Sequence, residues 1–125
     1  MTIDANEPAG QHGANPATER LAIEPDELGE AVLIDVRRAA AFEQSGQMLL
    51  GAHWRDPAQV ASWAGELAKS LPDKQRVVVY CVHGHEVSQL TAQRLHELGI
   101  DARFLRGGFE AWRTAGRPLI DKPEG

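Results

Sequence analysis

The sequence predicts an α/β domain of three layers around a central, mainly parallel sheet. Two observations lead there. Val32-Leu33-Ile34-Asp35-Val36 and Val77-Val78-Val79-Tyr80-Cys81 are continuous, β-branched apolar runs, the pattern of strands covered on both faces. In the stretches between and after them, apolar residues recur every three or four positions, the helical period. Strand and helix in alternation build a parallel sheet joined by right-handed crossovers. A chain of 125 residues is long enough for one such domain with a sizeable core.

The elements follow in order. Residues 1–19 are rich in Ala, Asn, Pro, Gly and Gln without periodicity, so they are expected to form a flexible leader, with His12 solvated. The domain is expected over 20–120 and a tail over 121–125. Leu21-Ala22-Ile23 reads as a short edge strand, and Pro25 suits a first helical turn. From Pro57 to Leu71, Val60, Trp63, Ala64, Leu67 and Leu71 share one helix face. From Val87, the residues Leu90, Thr91, Arg94, Leu95 and Leu98 keep the same period, and Gly99 is a natural stop. Ala102-Arg103-Phe104-Leu105 is a third strand. Gly108 to Trp112 opens a last short helix that Gly116 and Pro118 close. Trp54, Trp63 and Trp112 are expected to pack rather than bind, and His96 to lie on the surface.

Charge excludes some functions. With 13 Lys and Arg against 18 Asp and Glu, the net charge is −5, which lacks the clustered cations that neutralise nucleic-acid phosphates. No apolar run approaches the ~20 residues that cross a bilayer. The first residues show neither a basic nor an apolar signal region, so a cytoplasmic location is expected. The single cysteine, Cys81, cannot form an internal disulfide, and a metal site built on it would need histidines or carboxylates.

Cys81 ends the most apolar strand, before Val82-His83-Gly84-His85-Glu86 and a helix starting near Val87-Ser88. Ligands of open α/β sheets bind beyond the carboxyl ends of strands. There the unpaired amides and dipole of the next helix favour thiolate over thiol. Gly84 lets the loop curl so that successive N–H groups turn inward, a cradle for sulfur or an oxyanion. The same pattern also fits a buried, inert cysteine at a strand end.

Cys81-Val82-His83-Gly84-His85-Glu86 resembles the active-site loop of rhodanese-like sulfurtransferases, in particular the small single-domain type. Asp35-Val36-Arg37 after a strand resembles that family's first signature. Leu105-Arg106-Gly107-Gly108-Phe109-Glu110-Ala111-Trp112 resembles its glycine-glycine-aromatic segment. In order and spacing these motifs span residues 20–120. The resemblance implies a rhodanese-like fold in which Cys81 is the nucleophile. It would take a sulfane sulfur from thiosulfate or a persulfide donor and pass it to a thiophilic acceptor: cyanide, a small thiol or an acceptor protein. It further implies that the amides of Val82, His83, Gly84, His85, Glu86 and Val87 hold the outer sulfur, with no metal or organic cofactor. Related phosphatases have a loop one residue longer, closed by an arginine that grips phosphate. Here no Arg lies between Cys81 and Arg94, so phosphate-ester hydrolysis is disfavoured. Asp35 and Arg37 are expected to brace the loop from beneath, and Arg106 to face either the donor or solvent.

The loop departs from the family in carrying Glu86. A carboxylate ~5 Å from a thiolate at effective ε ~20 would cost about 3 kcal/mol. An outward Glu86 would instead complement its own helix, and that orientation is expected. His83 and His85 are expected at the rim, where switchable positive charge recruits an anionic donor. A metal site of Cys81, His83 and His85, with His53, is disfavoured because a tight amide cradle turns side chains away from a common centre. Between Ser45 and His53 the family's Gly-His-Ile becomes Gly46-Gln47-Met48, and the next glycine, Gly51, comes one residue late. Cys81 and Gly84 favour an enzyme. Glu86 and the altered Gly46–Gly51 segment favour the alternative, a non-catalytic or regulatory protein-binding module.

Overall fold

A computed structural model describes residues 16–122. Five parallel strands form the central sheet in the order β1-β6-β5-β2-β4: β1 (Ala22–Ile23), β2 (Val32–Asp35), β4 (His53–Trp54), β5 (Arg76–Tyr80) and β6 (Asp101–Leu105). A second, two-stranded sheet pairs β3 (Gln47–Leu49) with β7 (Leu119–Asp121) antiparallel. Helices α1 (Pro16–Glu19), α2 (Ala39–Gln44), α3 (Val60–Ser70), α4 (Glu86–Glu97) and α5 (Gly108–Thr114) complete the chain.

The two apolar runs lie side by side, with Val32 opposite Val77 and Asp35 opposite Tyr80. Strand β5 is central, and Val77, Val78, Val79 and Tyr80 have no exposed surface, each valine contributing about 1.5–3 kcal/mol by its burial. Alternate residues serve two cores. Val77 and Val79 pack with Ile34, Leu95 and Phe104, whereas Val78 and Tyr80 pack with Met48, Leu49, Phe109 and Trp112. Strand alternation thus anchors α3 and α4 on one face and α5 with the small sheet on the other.

Four expectations need correction. Most of the expected leader, His12 included, lies outside the described residues, but its last four residues form α1, held by Thr18, which is fully buried. Asp121, placed in the tail, belongs to β7, which pairs with Gln47; residues 123–125 lie outside the described residues. Helix α4 buries Ser88, Thr91, Ala92 and Leu95, while Leu90 and Leu98 are exposed. Its phase is set by the turn that enters it, not by its most apolar stripe. Finally, the helix from Pro57 starts as a 3-10 turn, Pro57–Gln59, capped by the Asp56 side chain on the Ala58 amide, before α3 proper.

Candidate active site

Cys81 follows the last residue of β5 and is 6% exposed. Its thiol donates to Ser88 Oγ at 3.2 Å, and Ser88 is fully buried in the first turn of α4. A hydroxyl rotates freely, so on ionisation of the thiol the same group turns to donate to sulfur. Sequence reasoning passed over Ser88; its signal was a small hydroxyl residue in the first turn of the helix the cysteine faces.

Three carbonyls define the loop. The Phe109 amide donates to the Cys81 carbonyl and the Glu110 amide to the Val82 carbonyl, both at 2.9 Å. Gln89 Nε2 donates to the Gly84 carbonyl at 3.1 Å. In a trans peptide the N–H points opposite to the C=O, and no peptide bond among the described residues is cis. The N–H groups of Val82, His83 and His85 are therefore turned away from α5 and from Gln89. Gly84 has φ +74°, and a Cβ there would sit 2.8 Å from both Gly107 N and Leu105 O. A Cβ on Gly108 would lie 2.5 Å from the Cys81 carbonyl oxygen. Loop and glycine pair pack backbone to backbone, which only glycine permits at these positive φ angles.

Beneath the loop lies a buried pedestal. Arg37 Nη2 is 2.6 Å from Asp35 Oδ2, and Arg37 Nε donates to both carboxylate oxygens at 3.0 Å. Arg37 Nη2 also reaches the Gln47 carbonyl at 2.9 Å, tying β3 to the network. The Tyr80 hydroxyl donates to Asp35 Oδ2 at 2.9 Å and accepts from the Leu49 amide at 3.1 Å. Burial, then the Asp35 charge, push the Tyr80 phenol far above its ordinary value, so it stays a donor. The Arg37 guanidinium lies 4.4 Å from the ring centroid of Phe109, whose amide holds the Cys81 carbonyl. Asp35 and Arg37 thus reach the loop through Phe109.

At the rim, His83, His85 and Glu86 are exposed, and the two imidazole centroids are 5.8 Å apart. A hydrogen bond from Arg113 holds the Glu110 carboxyl below its ordinary range, helped by the charges of Arg113 and His83. Val82 borders a cavity of about 360 Å³ with Gln44, Gln47 and Arg113. Val87 is turned to the other side, where it lines a groove of about 800 Å³ with Arg38, Val60, Leu90 and Arg94. Arg106 is committed elsewhere: its guanidinium meets Glu19 and Glu24 at 2.6 Å each, two carboxylates that pin it beside β1. Trp112 is buried, the Trp54 indole N–H donates to the Arg37 carbonyl, and that of Trp63 to the Asp56 carbonyl. Among the described residues no three His, Cys, Asp or Glu side chains are placed to hold one metal ion. No described helix is long and apolar enough to cross a membrane.

The site is thus a cysteine at the carboxyl end of the central parallel strand of an α/β domain, beside a glycine-shaped turn and a helix start. The rhodanese-like domain model matches residues 19–115, and the chain belongs to that family. It is 39% identical over 74 residues to a tRNA 2-selenouridine synthase of Cupriavidus necator, which covers 59% of this chain but only 18% of that protein. Among solved structures, a rhodanese-related protein of Thermoplasma volcanium superposes with a TM-score of 0.64 at 22% identity, covering 79% of this chain and 96% of the other. A thiosulfate sulfurtransferase of Pseudomonas aeruginosa superposes with a TM-score of 0.63 at 25% identity, over 80% of this chain and 19% of that one.

Proposed function

We propose that the chain is a sulfurtransferase that carries sulfane sulfur on Cys81. Family membership and relatives named for selenium and sulfur chemistry support sulfur transfer in general. The observation that carries the specific reading is the Cys81 sulfur, 3.2 Å from the Ser88 hydroxyl on the first turn of α4, beside a loop whose carbonyls are drawn away by Phe109, Glu110 and Gln89.

In the first half-reaction the Cys81 thiolate attacks the outer sulfur of thiosulfate. A new S–S bond forms, the donor's S–S bond breaks, and sulfite leaves with the electron pair. In the second, an acceptor thiolate or cyanide attacks the outer sulfur of the Cys81 persulfide, and Cys81 departs as thiolate. Atoms and electrons balance across the two steps without a cofactor. Amides of Val82 to Val87 and the Ser88 hydroxyl bear the negative charge that alternates between the inner and outer sulfur. His83 and His85 at the rim attract an anionic donor when protonated.

A second reading, a regulatory binding module, is favoured by Glu86, whose carboxylate beside the loop opposes a dianionic donor. Intact-mass measurement separates the two. Wild type incubated with thiosulfate, or with a low-molecular-weight persulfide, is expected to gain one sulfur atom, which cyanide or a thiol removes and Cys81→Ser never acquires. No adduct with either donor would leave the binding module.

A further inference from the structure

Of the three carbonyls that shape the Cys81 loop, two are held by backbone amides of α5, and the third by a side chain. That side chain is Gln89, 5% exposed, and it has a second partner far away in the sequence. Thr18 Oγ1, fully buried in α1, donates to Gln89 Oε1 at 2.8 Å. The Gly84 carbonyl, which can only accept, decides which end of the amide faces which way. Gln89 therefore presents its NH2 to that carbonyl, 3.1 Å distant, and the Thr18 hydroxyl braces the oxygen end; the flipped amide would set oxygen against oxygen at Gly84.

We infer that Gln89 is a positioning residue for the Cys81 loop and that Thr18, outside the matched family region that begins at residue 19, holds its side chain in place. The chain Thr18–Gln89–Gly84 holds the Gly84 carbonyl towards α4 and so turns the His85 N–H, in the same peptide unit, to the opposite side. Gly84 at φ +74° is free of Cβ constraint, so this peptide is the one in the loop most able to rotate if its carbonyl is released. The N-terminal turn α1 then belongs functionally to the site, although 71 residues separate Thr18 from Gln89. The role rests on the reading of Cys81 as a nucleophile stabilised by the loop amides, but it can be tested without sulfur.

The test is the pH profile of Cys81 alkylation by iodoacetamide in the full chain, with folding of each variant followed by circular dichroism. Gln89→Leu is expected to move the midpoint up by about half to one pH unit, which is about three- to tenfold less thiolate on the acid side of the midpoint. Thr18→Val should move it less in the same direction, and Thr18→Ser, which keeps the hydroxyl, should titrate with wild type. Should Gln89→Leu fail to fold, Thr18→Val against Thr18→Ser decides alone. The inference is overturned if the folded variants all share the wild-type midpoint, or if Thr18→Ser shifts as far as Thr18→Val. Because sulfur uptake is measured separately by mass, a chain that takes up sulfur with unshifted midpoints loses the positioning role alone. Shifted midpoints without uptake would retain it and discard the transferase.

Discussion

Arg37 and Arg106 both meet a carboxylate at 2.6 Å, yet they stand in opposite environments. Arg37 and Asp35 are 1% and 0% exposed, and further hydrogen bonds tie Arg37 to the Gln47 carbonyl and Asp35 to the Tyr80 hydroxyl. Arg106, Glu19 and Glu24 are 47%, 45% and 52% exposed. Distance alone therefore says little about what an ion pair does. The buried pair is committed to one geometry because each partner would otherwise be a charge without water. The exposed trio exchanges protein contacts for solvent at small cost. Hydrogen bonds donated by Arg106 to Glu19 and Glu24 raise its pKa, but at half exposure that shift converts to little stability.

The contrast can be measured. Arg37→Met, which strands the Asp35 carboxylate in the core, should destabilise by about 3–5 kcal/mol in urea unfolding; a loss under about 1 kcal/mol would mean that the pedestal is no more committed than the surface corner. Tyr80→Phe removes the acceptor for the Leu49 amide and a donor to Asp35, and should cost about 1–3 kcal/mol, measured the same way. Arg106→Met should cost no more than ~1 kcal/mol, less at high salt. The smallest effect concerns Glu110 and Arg113, also at the surface. The Glu110 pKa is depressed in the fold, so the pair's contribution is present above the ordinary carboxylate range and lost as pH falls through the folded value. Glu110→Gln and wild type should accordingly differ slightly near neutrality and converge as pH falls through the depressed Glu110 value, read as melting temperature against pH.

Long elements were legible in the sequence because burial writes its period over many residues. The runs at 32–36 and 77–81 became neighbouring strands within a residue of their expected ends, and Gly99 does stop α4, with φ +88°. The pairing of Gln47–Leu49 with Leu119–Asp121 was not legible. Three residues carry no period, and their partner is set by how α5 packs. The position of Cys81 ahead of a helix could be read directly, whereas the partners that shape its loop could not. Ser88 and Gln89 are ordinary polar residues on a helix, and only the folded phase of α4 turns them inward. Arg106 sat beside a recognisable motif, but Glu19 and Glu24, which claim it, are set by the course of the chain around β1.

The clasp between α5 and the cysteine loop also has a bearing on synthesis. Amides of Phe109 and Glu110 are made some thirty residues after the carbonyls of Cys81 and Val82 that they hold. While the nascent chain is still short of α5, Gln89 of α4 can already reach the Gly84 carbonyl, but the carbonyls of Cys81 and Val82 lack the amides that hold them. A product that ends before α5 would therefore carry a cysteine whose loop is held at one carbonyl of the three.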